Sequence, residues 1–131
     1  MARPRNINPT PAELEVLQII WEHEPCTVRE VMEFLNPKRK RAYTSVLSLM
    51  NVMAKKDMLR QQPKGKAFIY FANISRDTTQ SSMLSDLLDR AFDGSANALV
   101  AHLLQQAETD KKELEQINQT IARFTKTKGG I

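Results

Sequence analysis

A chain of 131 residues, 41% hydrophobic and 26% charged, has the composition of a globular protein and not of a disordered one. It is long enough for one domain, or one small domain with an appendage. The formal net charge of +4 favours an anionic partner. The single cysteine, Cys26, excludes an internal disulfide and a cysteine metal cluster, and it suits a reducing compartment. No apolar run approaches the roughly 18 residues that cross a bilayer, so no membrane insertion is expected.

The elements follow in chain order. Thr10-Pro11-Ala12-Glu13 opens a first helix with a capping box and a proline in its first turn. Leu14, Leu17, Ile20 and Trp21 follow at helical spacing as its core stripe. Thr27 and Glu30 form a second capping box before a short helix whose apolar face is Val28, Val31, Met32 and Leu35. Asn36-Pro37 stops that helix, and the basic loop Lys38-Arg39-Lys40-Arg41 leads into a third, expected from about Ala42 to Asp57. Val46, Leu49, Met50 and Met53 share one side of it. At about 100° per residue, Arg41, Thr44, Ser48, Asn51 and Lys55 fall on the other side. Serine and threonine are poor helix-surface choices on propensity alone, and contact with bases or phosphates would account for them.

The period then changes to two. A strand begins at Met58-Leu59-Arg60, Gln61 to Lys66 reads as a turn, and Ala67–Phe71 is a second strand. Tyr70 and Phe68 are expected to pack this ribbon on the helices. The remainder reads as three amphipathic helices. Met83, Leu84, Leu87, Leu88, Ala91 and Phe92 face inward in the first. Asp93-Gly94 stops it, Ser95 caps the next (Leu99, Val100, Leu103, Leu104), and Thr109 caps the last (Leu114, Ile117, Ile121, Phe124). About 55 residues have too little volume to bury such stripes alone, and a second copy is the simplest partner. The basic N-terminus, Met1 to Arg5, lacks the apolar core of a signal peptide and reads as a short arm, and the tail from Lys126 reads as frayed.

Charge is divided along the chain. Between residues 38 and 66 nine basic residues face one acid, Asp57, a net of +8, whereas the segment from Arg76 onward nets −1. One half therefore suits a polyanion and the other does not. Catalytic patterns are absent from the sequence: there is no nucleophile elbow, phosphate-binding loop or paired nucleophile and base. His23 and His102 lie far from each other and His102 far from Cys26, so no metal-ligand set is expected, and no cofactor.

Three helices and a β-ribbon make a winged helix-turn-helix, in which the third helix enters the major groove. The expected fold is thus mainly α, with a winged-helix DNA-binding domain over residues 1–75 and a three-helix dimerisation region over 76–131. Thr44, Ser45, Ser48 and Asn51 are expected to read bases. Arg39, Lys40, Arg41, Lys64 and Lys66 are expected to hold phosphates, with Lys55 on the same DNA-facing side, and Tyr43 reads either as packing at the start of the third helix or as touching a phosphate. Leu84, Leu87, Leu88, Phe92, Leu99, Leu103, Leu114, Ile117 and Ile121 are expected at or beneath a dimer interface. Winged helices also serve as protein-docking modules, which is the alternative reading.

Residues 10–17 (Thr10-Pro11-Ala12-Glu13-Leu14-Glu15-Val16-Leu17) with Ile20-Trp21, and Thr27-Val28-Arg29-Glu30-Val31, resemble the first helices of the penicillinase-repressor (BlaI/MecI) family. Residues 41–50 resemble its recognition helix, Lys56, Leu59 and Gly65–Tyr70 its wing, and Phe92-Asp93-Gly94-Ser95 with Leu99-Val100 its dimerisation region. The resemblance implies a cytoplasmic homodimer that represses transcription at an operator dyad in double-stranded DNA. It also implies release by cleavage, in response to a membrane-bound sensor metallopeptidase that detects β-lactam antibiotics, with the equivalent bond near His102-Leu103. Two positions depart from the pattern: Val52 stands where many relatives carry arginine, and Asp57 where many carry glycine. The copper-responsive branch has a C-terminal cysteine cluster that this sequence cannot build.

Overall fold

The computed structural model describes residues 8–106 and 111–129, with side chains of the last helix described as far as Lys126. The Met1–Arg5 arm and the Thr109 cap lie outside the described residues, as does the end of the tail. The elements are α1 (Pro11–His23), α2 (Val28–Leu35), α3 (Tyr43–Lys55), β1 (Leu59–Lys64), β2 (Ala67–Ala72), α4 (Arg76–Phe92), α5 (Ala96–Gln106) and α6 (Lys111–Gly129). The chain divides into two compact units, one ending at Ser85 and the other beginning at Asp86.

In the first unit both expected capping boxes are complete. Thr10 Oγ1 accepts from the Glu13 amide while Glu13 Oε1 accepts from the Thr10 amide, and Thr27 and Glu30 repeat the exchange. The core joins Val16, Leu17 and Ile20 of α1 with Val28, Val31 and Leu35 of α2 and Val46, Met50 and Met53 of α3. Cys26, Met58, Leu59 and Tyr70 close it. The buried stripe of α1 is rotated from its expected position: Val16 and Glu13 are inside, while Leu14 is only half-buried. Glu13 can face inward because its carboxylate is fully partnered, which frees the outer side of the helix for Leu14. Trp21 is half-buried, and its indole N–H donates to Ile74 O at 2.9 Å, tying α1 to the chain leaving the wing.

The ribbon is longer than its sequence suggests. Residues 61–64, expected as turn, are strand, and the turn is only Gly65-Lys66. The register runs from Leu59 opposite Ala72 to Lys64 opposite Ala67, with Pro63 opposite Phe68. Counting back from the closing pair 64–67, position 63 is a non-hydrogen-bonded site, so a proline without an N–H costs the ladder nothing there. Gly65 takes the left-handed φ of 63° that a two-residue hairpin needs at its first central position. Cys26 adds one rung on the other edge of β2, exchanging both backbone hydrogen bonds with Tyr70.

In the second unit, Asp93 and Gly94 both have positive φ and end α4, and the Ser95 hydroxyl accepts from the Ala98 amide at the start of α5. No residue of α5 is buried. The Phe92 ring meets His102 edge-on at 5.4 Å.

Candidate nucleic-acid interface

The outer face of α3 is the centre of the candidate site. Val46, Met50 and Met53 fix its inner side, which leaves Thr44, Ser45, Ser48, Asn51 and Lys55 exposed. Unlike α1 and α2, α3 has no side-chain cap: Ala42 stands at the N-cap position. Backbone N–H groups at such a terminus are available to an anion, and the helix dipole favours one. Cations surround it. Lys38, Arg39 and Lys40 are exposed on the loop before α3, and Lys64 and Lys66 flank Gly65 at the wing tip. None of these five, nor Lys55, forms an ion pair among the described residues.

Asn51 is less free than its neighbours. Its Oδ1 lies 3.5 Å from the Tyr70 hydroxyl, which also accepts from Gln61 Nε2 at 3.0 Å. Burial pushes the Tyr70 phenol above its ordinary pKa, so it remains a neutral hydroxyl linking α3 to both wing strands. Tyr43, in the first turn of α3, is exposed and has the Arg29 guanidinium 5.5 Å from its ring centre.

Arg41 departs from the expected phosphate contact. Its side chain is 11% exposed, one guanidinium nitrogen donates to Leu35 O at 3.2 Å, and the other pairs with Glu15 at 2.7 Å. Its amide donates to Asn36 Oδ1 at 3.0 Å. Arg41 therefore fastens the α2–α3 turn to α1. The far end of α3 is held similarly, with Lys56 Nζ 2.7 Å from Glu13 Oε2. Burial raises the Glu13 pKa, but hydrogen bonds from Lys56 and the Thr10 amide, with the Lys56 charge, outweigh it and hold the carboxyl below its usual value. The two ion pairs anchor α3 fore and aft to the first turns of α1. Sequence periodicity could not show this, because both pairs join residues more than 25 positions apart.

Phe68, expected with Tyr70 to pack the ribbon on the helices, remains 47% exposed although it lies on the same strand face as buried Tyr70. The candidate dimerisation residues are distributed over α4, α5 and α6. Leu84, Leu87, Leu103, Leu114 and Ile121 are exposed, and Leu88, Phe92, Leu99 and Ile117 are partly covered. His102 and Leu103 both lie exposed on α5. Among the described residues no group of three or more metal-ligating side chains converges, and no helix is long and apolar enough to cross a membrane.

Comparison with known proteins agrees with this architecture. The penicillinase repressor family model matches residues 9–123. The penicillinase repressor of Bacillus licheniformis is 24% identical over 110 residues, which cover 84% of this chain and 86% of that protein. The transcriptional regulator BlaI of Mycobacterium tuberculosis is 32% identical over 103 residues, covering 77% of this chain and 75% of its own. The solution structure of the DNA binding domain of the repressor BlaI superposes with a TM-score of 0.50 at 26% identity, covering 56% of this chain and 90% of that one. That breadth of match, over the winged helix and beyond it, shows that the chain belongs to the penicillinase repressor family, a family of transcriptional repressors and not of enzymes.

Proposed function

We propose that this repressor binds an operator dyad as a homodimer, each protomer laying α3 in the major groove of one half-site. The observation that carries the reading is the division of α3: one side is buried in the core, and the other presents Thr44, Ser45, Ser48, Asn51 and Lys55 to solvent, beside exposed Tyr43 and Val52. Thr44, Ser45, Ser48 and Asn51 are the base readers, while Arg39, Lys40, Tyr43, Lys55, Lys64 and Lys66 hold the flanking phosphates. Residues 1–75 supply this surface, and 76–131 supply the dimer contact through the apolar residues of α4, α5 and α6. Such a protein works in the bacterial cytoplasm, where its operator is.

Release by proteolysis fits the same arrangement. A bond at His102-Leu103 lies in the proposed dimerisation region, and cutting it would divide α5 and remove the second half-site's contribution to affinity. A membrane-bound sensor metallopeptidase is the partner this implies.

The test is fluorescence anisotropy of the full chain on a duplex taken from upstream of its own gene, against a shuffled duplex, over a range of salt. Preference for the native duplex with a steep salt slope is expected. Equal, shallow binding to both, together with no enriched fragment in a genome-wide selection, would refute the reading. Ser48→Ala should alter preference at one base position of each half-site; uniform weakening over all sequences would remove Ser48 from the base readers.

A further inference from the structure

A cleft of about 390 Å³ separates α3 from the wing, and Thr27, Arg29, Tyr43, Lys66 and Phe68 are among the residues that line it. We propose that this cleft seats the sugar–phosphate strand lying between the groove read by α3 and the groove reached by the wing tip, with Arg29 contacting phosphate and Phe68 contacting deoxyribose. The proposal rests on the reading of α3 as the helix in the major groove.

Geometry requires something between them. A helix in the major groove and a ribbon reaching the neighbouring minor groove stand on opposite sides of one backbone strand. The chemistry of the walls suits that strand. No acidic residue lines the cleft, and two cations, Arg29 and Lys66, do. Neither forms an ion pair among the described residues. Arg29 sits in the first turn of α2, and its guanidinium lies within cation–π range of the Tyr43 ring. The ring is a platform that holds the guanidinium beside the uncapped start of α3 while leaving its N–H groups for an oxygen ligand.

Phe68 is the independent sign. Residues 68 and 70 share one face of β2, the face that buries Tyr70 in the core. Phe68 therefore points to the helix side of the ribbon, yet the described residues leave it 47% exposed, because it stands nearer the tip, where the core has ended. A large aromatic left open between two cations fits a ligand whose repeating unit alternates an apolar sugar with an anionic phosphate.

The experiment measures anisotropy titrations on the native-upstream and shuffled duplexes between 50 and 200 mM salt for wild type, Arg29→Gln, Arg29→Lys and Phe68→Ala. Losing one phosphate contact lowers the slope of log affinity against log salt by about 0.9 per protomer bound. Across that fourfold salt range, the gap between Arg29→Gln and wild type should narrow about threefold for each protomer bound, about twelvefold for a dimer, equally on both duplexes. Arg29→Lys should keep the wild-type slope. Phe68→Ala should weaken binding with no change of slope. Thermal midpoints of all three should match wild type, since both side chains are exposed. A wild-type slope and affinity for Arg29→Gln, in a wild type that binds DNA steeply with salt, would overturn the proposal and leave the operator reading standing. So would a loss confined to the native duplex, which would mean base contact. A wild type with no salt-steep binding would overturn both.

Discussion

The two units of this chain solve the same problem differently. In the first, 13 apolar side chains from three helices and a ribbon enclose a core in which Val16, Leu17, Ile20, Val31, Met50 and Met53 are completely shielded. In the second, α5 with 11 residues and α6 with 19 bury almost nothing, and Leu103 and Ile121 each remain 53% exposed. The apolar stripes are comparable in the sequence; only the number of faces available to receive them differs. Three helices and a ribbon supply enough faces to close a core within one chain. Helices α5 and α6 with the end of α4 do not, and their stripes are the kind of surface that a second copy covers.

The largest effect should come from polarising that surface. Leu88→Asp or Ile117→Asp is expected to yield monomers by light scattering and to cost about 10²-fold or more in operator affinity, because two half-sites then bind independently. An unchanged mass for both variants would break the comparison by showing that the stripes are covered another way. The next effect separates the two units by mechanism. Ile20→Ala should cost about 2–5 kcal/mol whatever the protein concentration, as a cavity in a closed core does. Leu103→Ala should instead make the thermal midpoint depend more steeply on concentration, because it acts through association. The two are read from the same melts at three concentrations.

Much of the winged helix was legible because its local signals agree with its packing. Thr10 with Glu13 and Thr27 with Glu30 announce helix starts in the sequence and make those bonds in the fold. Pattern reading failed where a long-range partner overruled the local rule. Glu13 read only as a capping residue outside the core stripe, but Lys56 makes its burial possible and rotates the α1 stripe. Pro63 looked like a turn, but its register places it where the ladder needs no N–H. Arg41 looked like one cation of a basic run, indistinguishable in sequence from Lys40, and only the position of Glu15 separates them. The proposed base readers were legible as a polar stripe on α3, whereas the proposed backbone contacts Arg29 and Phe68 were not, since they approach α3 from other elements.

That distinction between Arg41 and its neighbours can be sharpened directly. Arg41→Ala should lower stability by about 1 kcal/mol, through loss of the partly exposed pair with Glu15 and the guanidinium bond to Leu35 O, and its loss of DNA affinity should accompany loosening of the α2–α3 turn. Lys40→Ala should leave the melt unchanged and reduce only the salt slope. If both variants melt like wild type and both lower the slope, Arg41 is a phosphate contact after all. The Glu13–Lys56 pair gives a pH signature in the same unit. Its folded pKa lies below the ordinary value, so its contribution is fully present above that value and is lost as pH falls through the folded pKa. Glu13→Gln should therefore flatten the acid limb of the stability profile while leaving the neutral-to-alkaline part parallel to wild type. Cys26 acts at the other extreme. Burial, then the charges of Glu30 and Glu24, push its thiol up to about 11. Stability tied to the neutral thiol is retained below its ordinary value near 9 and lost as pH rises toward 11, and Cys26→Ala should flatten that alkaline limb.

The smallest effect concerns one backbone angle. Asp57 has φ 65°, and the Met58 amide bonds back to Met53 O at 2.9 Å, the left-handed closure that ends a helix with glycine at its favoured position. An L-residue pays conformationally there by about 1 kcal/mol or less when its side chain is short and polar. Asn73 partly offsets this by donating to Asp57 O at 3.0 Å, a bond to the backbone that any residue at 57 could accept. Asp57→Gly keeps that bond, removes the strain and deletes the only acid among the basic residues 38–66. It should raise the thermal midpoint slightly and tighten DNA binding at low salt, with the affinity gain fading as salt rises. A gain in stability with no change in affinity would show that Asp57 lies too far from the DNA path for its charge to be felt, and would confine the electrostatic surface to the loop, the start of α3 and the wing tip.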